Sequence, residues 1–157
     1  MPVRILVADD HEVVLQGIRM ILQGRPDWQI CGEAKNGAEA ISMAQQVRPD
    51  IIIMDVTMPV TNGLAAAREI ASLGIKAPIL IFTMHESKGL VDSVIGVGGR
   101  GIVFKSNAVR DLIEALEVLL NGGSYFPSSA QPSTLPKKRD ANPGLFRGGL
   151  DKAARLV

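Results

Sequence analysis

Cysteine, aromatic residues and long apolar runs are all scarce in this chain of 157 residues. Its single cysteine, Cys31, excludes a disulfide within the chain, and the apolar neighbours of Cys31 indicate a buried, inert thiol. One Trp and one Tyr offer little surface on which a flavin could stack. No apolar run approaches the roughly 20 residues that a membrane-spanning helix requires. We therefore expect a soluble protein without a membrane segment.

Charge of one sign is also lacking, because 17 Lys and Arg nearly balance 16 Asp and Glu. The apolar stretch before Asp9 and Asp10 is too short for a secretory signal, so we expect a cytoplasmic protein. Residues 124–157 hold six basic and two acidic residues. A bias this weak is typical of a solvated tail and does not by itself predict nucleic-acid binding.

Short runs rich in Val, Ile and Leu alternate with longer segments of helical period, which predicts an α/β fold with five βα units on a parallel sheet. Strands are predicted at residues 3–8, 29–34, 50–54, 79–82 and 101–104, and helices at 13–23, 38–46, 64–73, 88–97 and 108–120. The periodic pattern ends at Gly123. We predict one domain over residues 1–123, and a linker with an irregular tail over residues 124–157.

Chemically active residues follow four of the predicted strands: Asp9 and Asp10 the first, Asp55 the third, Thr83 the fourth and Lys105 the fifth. In a doubly wound, flavodoxin-like sheet of order 2-1-3-4-5, ligands bind beyond the carboxyl ends of strands 1 and 3. Taken singly, each acid or Thr would be read as a helix cap, and the Lys as a solvated side chain. Their joint placement at successive strand ends favours a functional site.

Three clustered carboxylates repel one another unless a cation compensates, and Mg²⁺ favours oxygen ligands beside a phosphate. An aspartate can accept a phosphoryl group covalently when nearby cations neutralise the developing charge. Asp55 is the predicted acceptor, with Asp9 and Asp10 holding Mg²⁺ beside it. Lys105 would supply a second positive charge, and the Thr83 hydroxyl would donate a hydrogen bond to a phosphoryl oxygen.

Four segments carry a resemblance to the receiver domains of response regulators in two-component signalling, over about residues 3–121. They are VADDH, IIIMDVTMPVTNG, IFTMHE and GIVFKS. The wording DDHEVVLQGI is similar to the NarL/FixJ (LuxR-type) subfamily. The resemblance implies that a sensor histidine kinase phosphorylates Asp55 and that the domain itself catalyses the transfer and the later dephosphorylation with Mg²⁺.

The resemblance also assigns roles to residues beside the acidic cluster. It implies a main-chain metal ligand at the Thr57 carbonyl and a phosphate-binding amide at Met84. Thr57 and His85 occupy positions that tune the lifetime of the phosphate. Ile102 takes the place of the aromatic residue that switches together with the Thr83 hydroxyl, which predicts an altered output switch.

Members of this subfamily usually carry a helix-turn-helix DNA-binding domain after the receiver, but none is readable in residues 124–157. DNA binding is therefore expected only through an output domain that is not readable in this chain. Homodimerisation is also expected. Three alternatives stay open: an interaction domain that is never phosphorylated, a phosphohydrolase using Asp55, and a flavodoxin-like nucleotide carrier on the same fold. A phosphohydrolase of this kind uses a second acid two residues after the first, but Thr57 occupies that position.

Overall fold

Five parallel strands form one sheet in the order β2-β1-β3-β4-β5, as the sequence predicts. The structure, a computed structural model, describes residues 2–84 and 86–127. The elements in chain order are β1 (Val3–Ala8), α1 (Glu12–Leu22), β2 (Trp28–Ala34), α2 (Gly37–Val47), β3 (Ile51–Met54), α3 (Gly63–Ser72), β4 (Ile79–Thr83), α4 (Leu90–Gly96), β5 (Gly101–Phe104), a 3₁₀ turn (Lys105–Asn107) and α5 (Ala108–Leu120).

Helices cover both faces of the sheet. Alternate residues of a strand point to opposite faces, so strands that are apolar throughout present an apolar surface on each side. On one face α1 and α5 pack around Ile5, Ile53 and Leu80. On the other face α2, α3 and α4 pack around Leu6 and Ile81. Every residue of β3 and β4 is buried, which explains why these strands read as continuous apolar runs without alternation. The covered faces leave the strand ends as the place for a site.

The predicted boundaries of β1, β5 and α5 match the observed ones, and the others differ by one residue, or by two at the start of α4. This helix was predicted from residue 88 but begins at Leu90, because Gly89 adopts the left-handed conformation with φ of 80°. Its other end is fixed by Gly98, with φ of 90°. Only glycine adopts such angles at little cost, so the two glycines limit α4 to seven residues.

The chain returns to the edge of the sheet after α5. The Ile102 N–H donates to the Tyr125 carbonyl at 2.8 Å, and the Tyr125 N–H donates to the Arg100 carbonyl at 3.0 Å. Phe126 packs against the apolar cluster on one face of the sheet and Tyr125 against the cluster on the other. We call residues 124–126 the edge segment. The domain boundary at residue 123 stays a prediction, but these contacts continue beyond it.

No helix among residues 2–84 and 86–127 is both long enough and apolar enough to span a membrane. Cys31 was expected to be buried, but it is only half-buried. Burial raises the pKa of its thiol.

Candidate functional site

Parallel pairing brings the predicted site residues to one edge of the sheet. The Asp55 N–H donates to the Ala8 carbonyl at 2.9 Å, so the first residue after β3 lies beside the end of β1. The Asp9 N–H donates in the same way to the carbonyl of Ala34, at 2.9 Å. Thr83 lies opposite Phe104 in the register of β4 and β5, and Phe104 directly precedes Lys105. The order of the strands therefore places all four strand ends around the β1–β3 crevice.

Lys105 reaches into this crevice and contacts two of the acids. Its Nζ lies 2.7 Å from Asp9 Oδ2 and 3.4 Å from Asp55 Oδ1. The three side chains are only 8%, 1% and 5% exposed, respectively. A charged triad this deeply buried loses hydration that its own ion pairs must replace. The site thus holds one ammonium between two carboxylates, with the Asp10 carboxylate nearby.

Burial is the largest influence on the protonation of Asp55. It raises the pKa of this carboxyl above the ordinary value, and the neighbouring charge of Asp9 raises it further. Lys105 and a hydrogen bond from the Thr57 N–H act in the opposite direction. Without a further cation, the environment of Asp55 therefore disfavours its charged form.

The donor set fits a hard divalent cation. Ligand atoms of Asp9, Asp10, His11 and Asp55 lie within 4.8 Å of one another. Asp9 Oδ2 is buried and has no hydrogen-bond partner among the described residues, although the Lys105 ammonium lies 2.7 Å from it. A buried carboxylate oxygen that lacks a hydrogen bond is costly unless a cation lies against it. Oxygen ligands from one or two carboxylates are what Mg²⁺ accepts in proteins.

The loop between β3 and α3 is held tightly beneath Asp55. The Gly63 N–H donates to the Val56 carbonyl at 2.8 Å, and a Cβ atom on Gly63 would lie 1.8 Å from the Asp55 carbonyl oxygen. Asn62 caps α3 by accepting the Ala65 N–H at 2.9 Å. The predicted signal Asn62-Gly63 thus serves as both the start of the helix and the close contact that fixes Asp55.

The same loop contains a strained turn. Val60 has φ of 69°, and the Thr61 N–H donates across it to the Pro59 carbonyl at 2.8 Å, which forms a γ-turn. A β-branched residue rarely adopts positive φ. The side chain of Val60 is 82% exposed, whereas Met58 is buried in the core. Backbone strain of this kind clusters beside functional sites.

The residues assigned to the phosphate and to the switch occupy different environments. Thr83 is 8% exposed at the rim of the site, and the side chain of Met84 is 62% exposed. The Thr57 side chain is exposed as well. Ile102 is fully buried in the core beneath α4, two residues from the rim. His85 lies outside the described residues.

Sequence reasoning did not single out His11. Its Nδ1 lies 3.2 Å from Asp9 Oδ1 and 3.1 Å from Asp10 Oδ1, although its side chain is 65% exposed. The His11 N–H also donates to Asp9 Oδ1 at 2.9 Å. The available signal was a nitrogen ligand directly after two acids at a strand end.

Comparison with known proteins identifies the family of the chain. A family described as "Response regulator receiver domain" matches residues 5–117. DegU of Brevibacillus brevis, named a transcriptional regulatory protein, is 29% identical over 123 residues, which are 78% of this chain and 52% of DegU. The chain thus spans about half the length of this relative.

Two solved structures extend the comparison. A LuxR-family response regulator from Aurantimonas sp. SI85-9A1 is 33% identical with a TM-score of 0.78, covering 83% of this chain and 93% of that one. The RcsB receiver of Salmonella enterica, solved with phosphomimetic BeF₃⁻, is 27% identical with a TM-score of 0.75, covering 83% and 96%. Another structure contains two RcsB dimers bound to two parallel DNAs.

The chain belongs to the response regulator receiver domain family, whose general function is phosphotransfer in two-component signalling. Receiver domains are signalling domains that interact with histidine kinases and bind Mg²⁺ through acidic residues. The predicted family and subfamily are thereby confirmed. The roles of individual residues stay predictions.

Proposed function

We propose that Asp55 accepts a phosphoryl group from a sensor histidine kinase, with Mg²⁺ bound beside it. The observation that carries this proposal is the buried Lys105 ammonium, which lies against both Asp9 and Asp55 at the crevice between β1 and β3. A buried cation beside a nucleophilic carboxylate stabilises the charge that develops on a transferring phosphoryl group. An interaction domain that is never phosphorylated has no need of a buried triad at this point.

The proposed cation ligands are the carboxylates of Asp9, Asp10 and Asp55 and the carbonyl of Thr57. A bound Mg²⁺ would supply positive charge to the phosphoryl oxygens. In the transfer step an Asp55 oxygen bonds to phosphorus, and the phosphorus–nitrogen bond of the kinase phosphohistidine breaks. The released imidazole nitrogen then takes up a proton.

Three protein groups complete the proposed site around the phosphoryl oxygens. Lys105 stays paired with one oxygen, and the Thr83 hydroxyl and the Met84 N–H donate hydrogen bonds to others. The domain catalyses its own dephosphorylation when water attacks the aspartyl phosphate. We assign Thr57 and His85 to tuning the access of that water, and hence the lifetime of the phosphate.

Phosphorylation would act on the surface formed by α4, β5 and α5. Movement of Thr83 toward the phosphate is the proposed trigger, because Thr83 is paired with Phe104 at the end of β5. Ile102 stands at the other switch position, but it is buried and its N–H is held by Tyr125. We therefore propose a smaller rearrangement than an inward swing of an aromatic residue would cause.

The proposed kinase contact is the apolar groove between α1 and α5, of about 320 Å³, which reaches Lys105 at its inner end. Two of its lining side chains are largely exposed, Met20 at 71% and Val109 at 86%. Homodimerisation, a cytoplasmic location and DNA binding through an output domain remain part of the proposal. The dimers described for RcsB support the first of these for the family.

The test is intact mass after incubation with Mg²⁺ and acetyl phosphate. One added phosphoryl group is expected on the wild type and none on Asp55→Asn. Asp92→Asn, at an exposed acid of α4, is the matched control and should label like the wild type. Absence of an adduct on the wild type, while another receiver is labelled in parallel, would overturn the proposal. Multiple turnover of unrelated phosphomonoesters would favour the phosphohydrolase instead.

A further inference from the structure

His11 is the one residue of the cation cluster that the mechanism above leaves without a role. It stands at the N-cap of α1 with extended backbone angles, yet its side chain caps no backbone N–H. The imidazole instead turns toward the acids, with Nδ1 3.2 Å from Asp9 Oδ1 and 3.1 Å from Asp10 Oδ1. Side chains at N-caps usually accept a helix N–H, so the orientation of His11 calls for another explanation.

The separations around Nδ1 match those between neighbouring ligands of an octahedral cation. Metal–ligand bonds of about 2.1 Å place adjacent ligand atoms about 3.0 Å apart. The same Asp9 carboxylate is buried, and its Oδ2 has no hydrogen-bond partner among the described residues and lies 2.7 Å from the Lys105 ammonium, so this carboxylate already has a cation against it. Nδ1 therefore lies as far from each of the two carboxylate oxygens as neighbouring ligands of one cation lie from each other.

We propose that His11 Nδ1 is a ligand of the divalent cation and sets its identity. The inference rests on the proposed function, because it takes for granted that the acidic site binds such a cation. Mg²⁺ strongly prefers oxygen, whereas imidazole suits transition metals, whose affinity for nitrogen rises from Mn²⁺ through Co²⁺. A site of three carboxylates and one imidazole selects Mn²⁺ or Co²⁺ over Mg²⁺ more strongly than a site with oxygen ligands alone.

The surroundings leave His11 free for this role. Glu12, the next residue, is engaged by Arg19 at 3.1 Å and by Lys35 at 3.3 Å, so it does not compete for the imidazole. Lys105 lies on Oδ2 of Asp9, while His11 contacts Oδ1. The exposed position of the ring gives a cation an open approach from solvent. A purely positioning role, in which the imidazole only donates a hydrogen bond to the carboxylates, is the competing explanation.

The deciding experiment is electron spin echo spectroscopy of Mn²⁺ bound to the full chain, because it detects directly coordinated nitrogen without requiring activity. An imidazole nitrogen coupling is expected in the wild type and should vanish in His11→Asn, which places a favoured N-cap residue at the start of α1. The chain has two His, so His85→Asn is the matched control and must retain the coupling. Calorimetric titrations should show the Mn²⁺ to Mg²⁺ affinity ratio falling about tenfold in His11→Asn.

The outcomes separate this inference from the proposed function. Mn²⁺ binding without nitrogen coupling, or an affinity ratio that His11→Asn leaves unchanged, would overturn the ligand role while phosphorylation of Asp55 could still be observed. If neither cation binds the wild type and Asp10→Asn changes nothing, the cation site itself is wrong, and both proposals fail together.

Discussion

Lys105 Nζ lies closer to Asp9 Oδ2, at 2.7 Å, than to Asp55 Oδ1, at 3.4 Å. The ammonium thus neutralises first the acid that is proposed to bind metal and only then the proposed phosphoacceptor. A cation entering the site would take over Asp9 and leave Lys105 for Asp55 and its phosphoryl oxygens.

Replacing Lys105 therefore should cost stability mainly when no metal is present. Lys105→Ala leaves two buried carboxylates uncompensated, and we expect a loss of about 3 kcal/mol in the free energy of unfolding in EDTA. Saturating Mg²⁺ should recover much of that loss. Urea unfolding followed by the fluorescence of the buried Trp28 measures both values.

Lys76→Ala, at an exposed lysine, is the control for charge removal and should change stability by less than about 0.5 kcal/mol in either buffer. Equal losses for Lys105→Ala with and without Mg²⁺ would show that Lys105 serves packing alone. A loss confined to the Mg²⁺ buffer would contradict the exchange of ammonium for metal.

The raised pKa of Asp55 predicts a pH dependence of stability in metal-free buffer. Its folded-state pKa lies above the unfolded value because of burial and then the charge of Asp9. The folded protein therefore binds more protons between those two values, and the contribution of Asp55 to stability is lost as pH rises through its folded pKa. Above that window the charged carboxylate opposes folding.

Asp55→Asn removes this titration. In EDTA we expect the variant to become more stable than the wild type as pH rises from about 4, with the difference levelling off above the folded pKa. Mg²⁺ should shrink the difference, since it stabilises the charged form. Chemical unfolding across pH checks this, and a difference that does not vary with pH would contradict it.

The fold was predictable because its apolar runs and turn signals agree with one another. Strands such as β3 read as unbroken apolar runs, and Asn62-Gly63 marks a helix start with both capping and close packing. The boundary of α4 was less predictable. Residue 88 fits a helical pattern, but the left-handed backbone of Gly89 prevents the helix from beginning before Leu90.

The composition of the site was predictable for a different reason. A parallel sheet of known strand order converts sequence position into spatial neighbourhood, so Asp9, Asp55, Thr83 and Lys105 could be placed together in advance. The sequence could not show that the Lys105 ammonium contacts both Asp9 and Asp55, or that it lies closer to Asp9. It also could not show that the side chain of His11 turns toward the acids, because that depends on a rotamer and not on a strand end.

Replacing Gly63 by Ala should lower the stability of the protein, whereas the same change at Gly17 should raise it. A Cβ on Gly63 would lie 1.8 Å from the Asp55 carbonyl oxygen, so Gly63→Ala must displace the backbone of the site. We expect a loss of about 2 kcal/mol in stability and slower labelling by acetyl phosphate. A Cβ on Gly17, within α1, meets nothing within 4 Å.

Gly17→Ala is therefore the matched control and should gain about 0.5–1 kcal/mol, because alanine restricts the unfolded chain and favours the helix. Thermal and urea unfolding of the two variants give the signs directly. Gly63→Ala with wild-type stability and labelling would mean that the loop beneath Asp55 yields without cost, and the proposed fixing of Asp55 by this contact would be wrong.

The edge segment should stabilise the domain although it follows α5. Its two backbone hydrogen bonds to β5 and its flank, from Ile102 to Tyr125 and from Tyr125 to Arg100, are worth about 2 kcal/mol together. A chain ending at Gly123 should therefore be less stable than one ending at Pro127 by at least this amount, since Tyr125 and Phe126 also lose their apolar contacts. Gly101→Ala tests the same contact within the full chain, because its Cβ would lie 2.7 Å from the Tyr125 carbonyl oxygen.

Hydrogen exchange distinguishes the edge segment from a general loss of stability. The Ile102 amide should exchange faster in the chain ending at Gly123 and in Gly101→Ala, while the Asp55 amide, bonded to Ala8 on the far side of β3, should change only with global stability. Equal stability of the two shortened chains would place the end of the domain at residue 123, and the pairing of Tyr125 with β5 would then contribute nothing to folding.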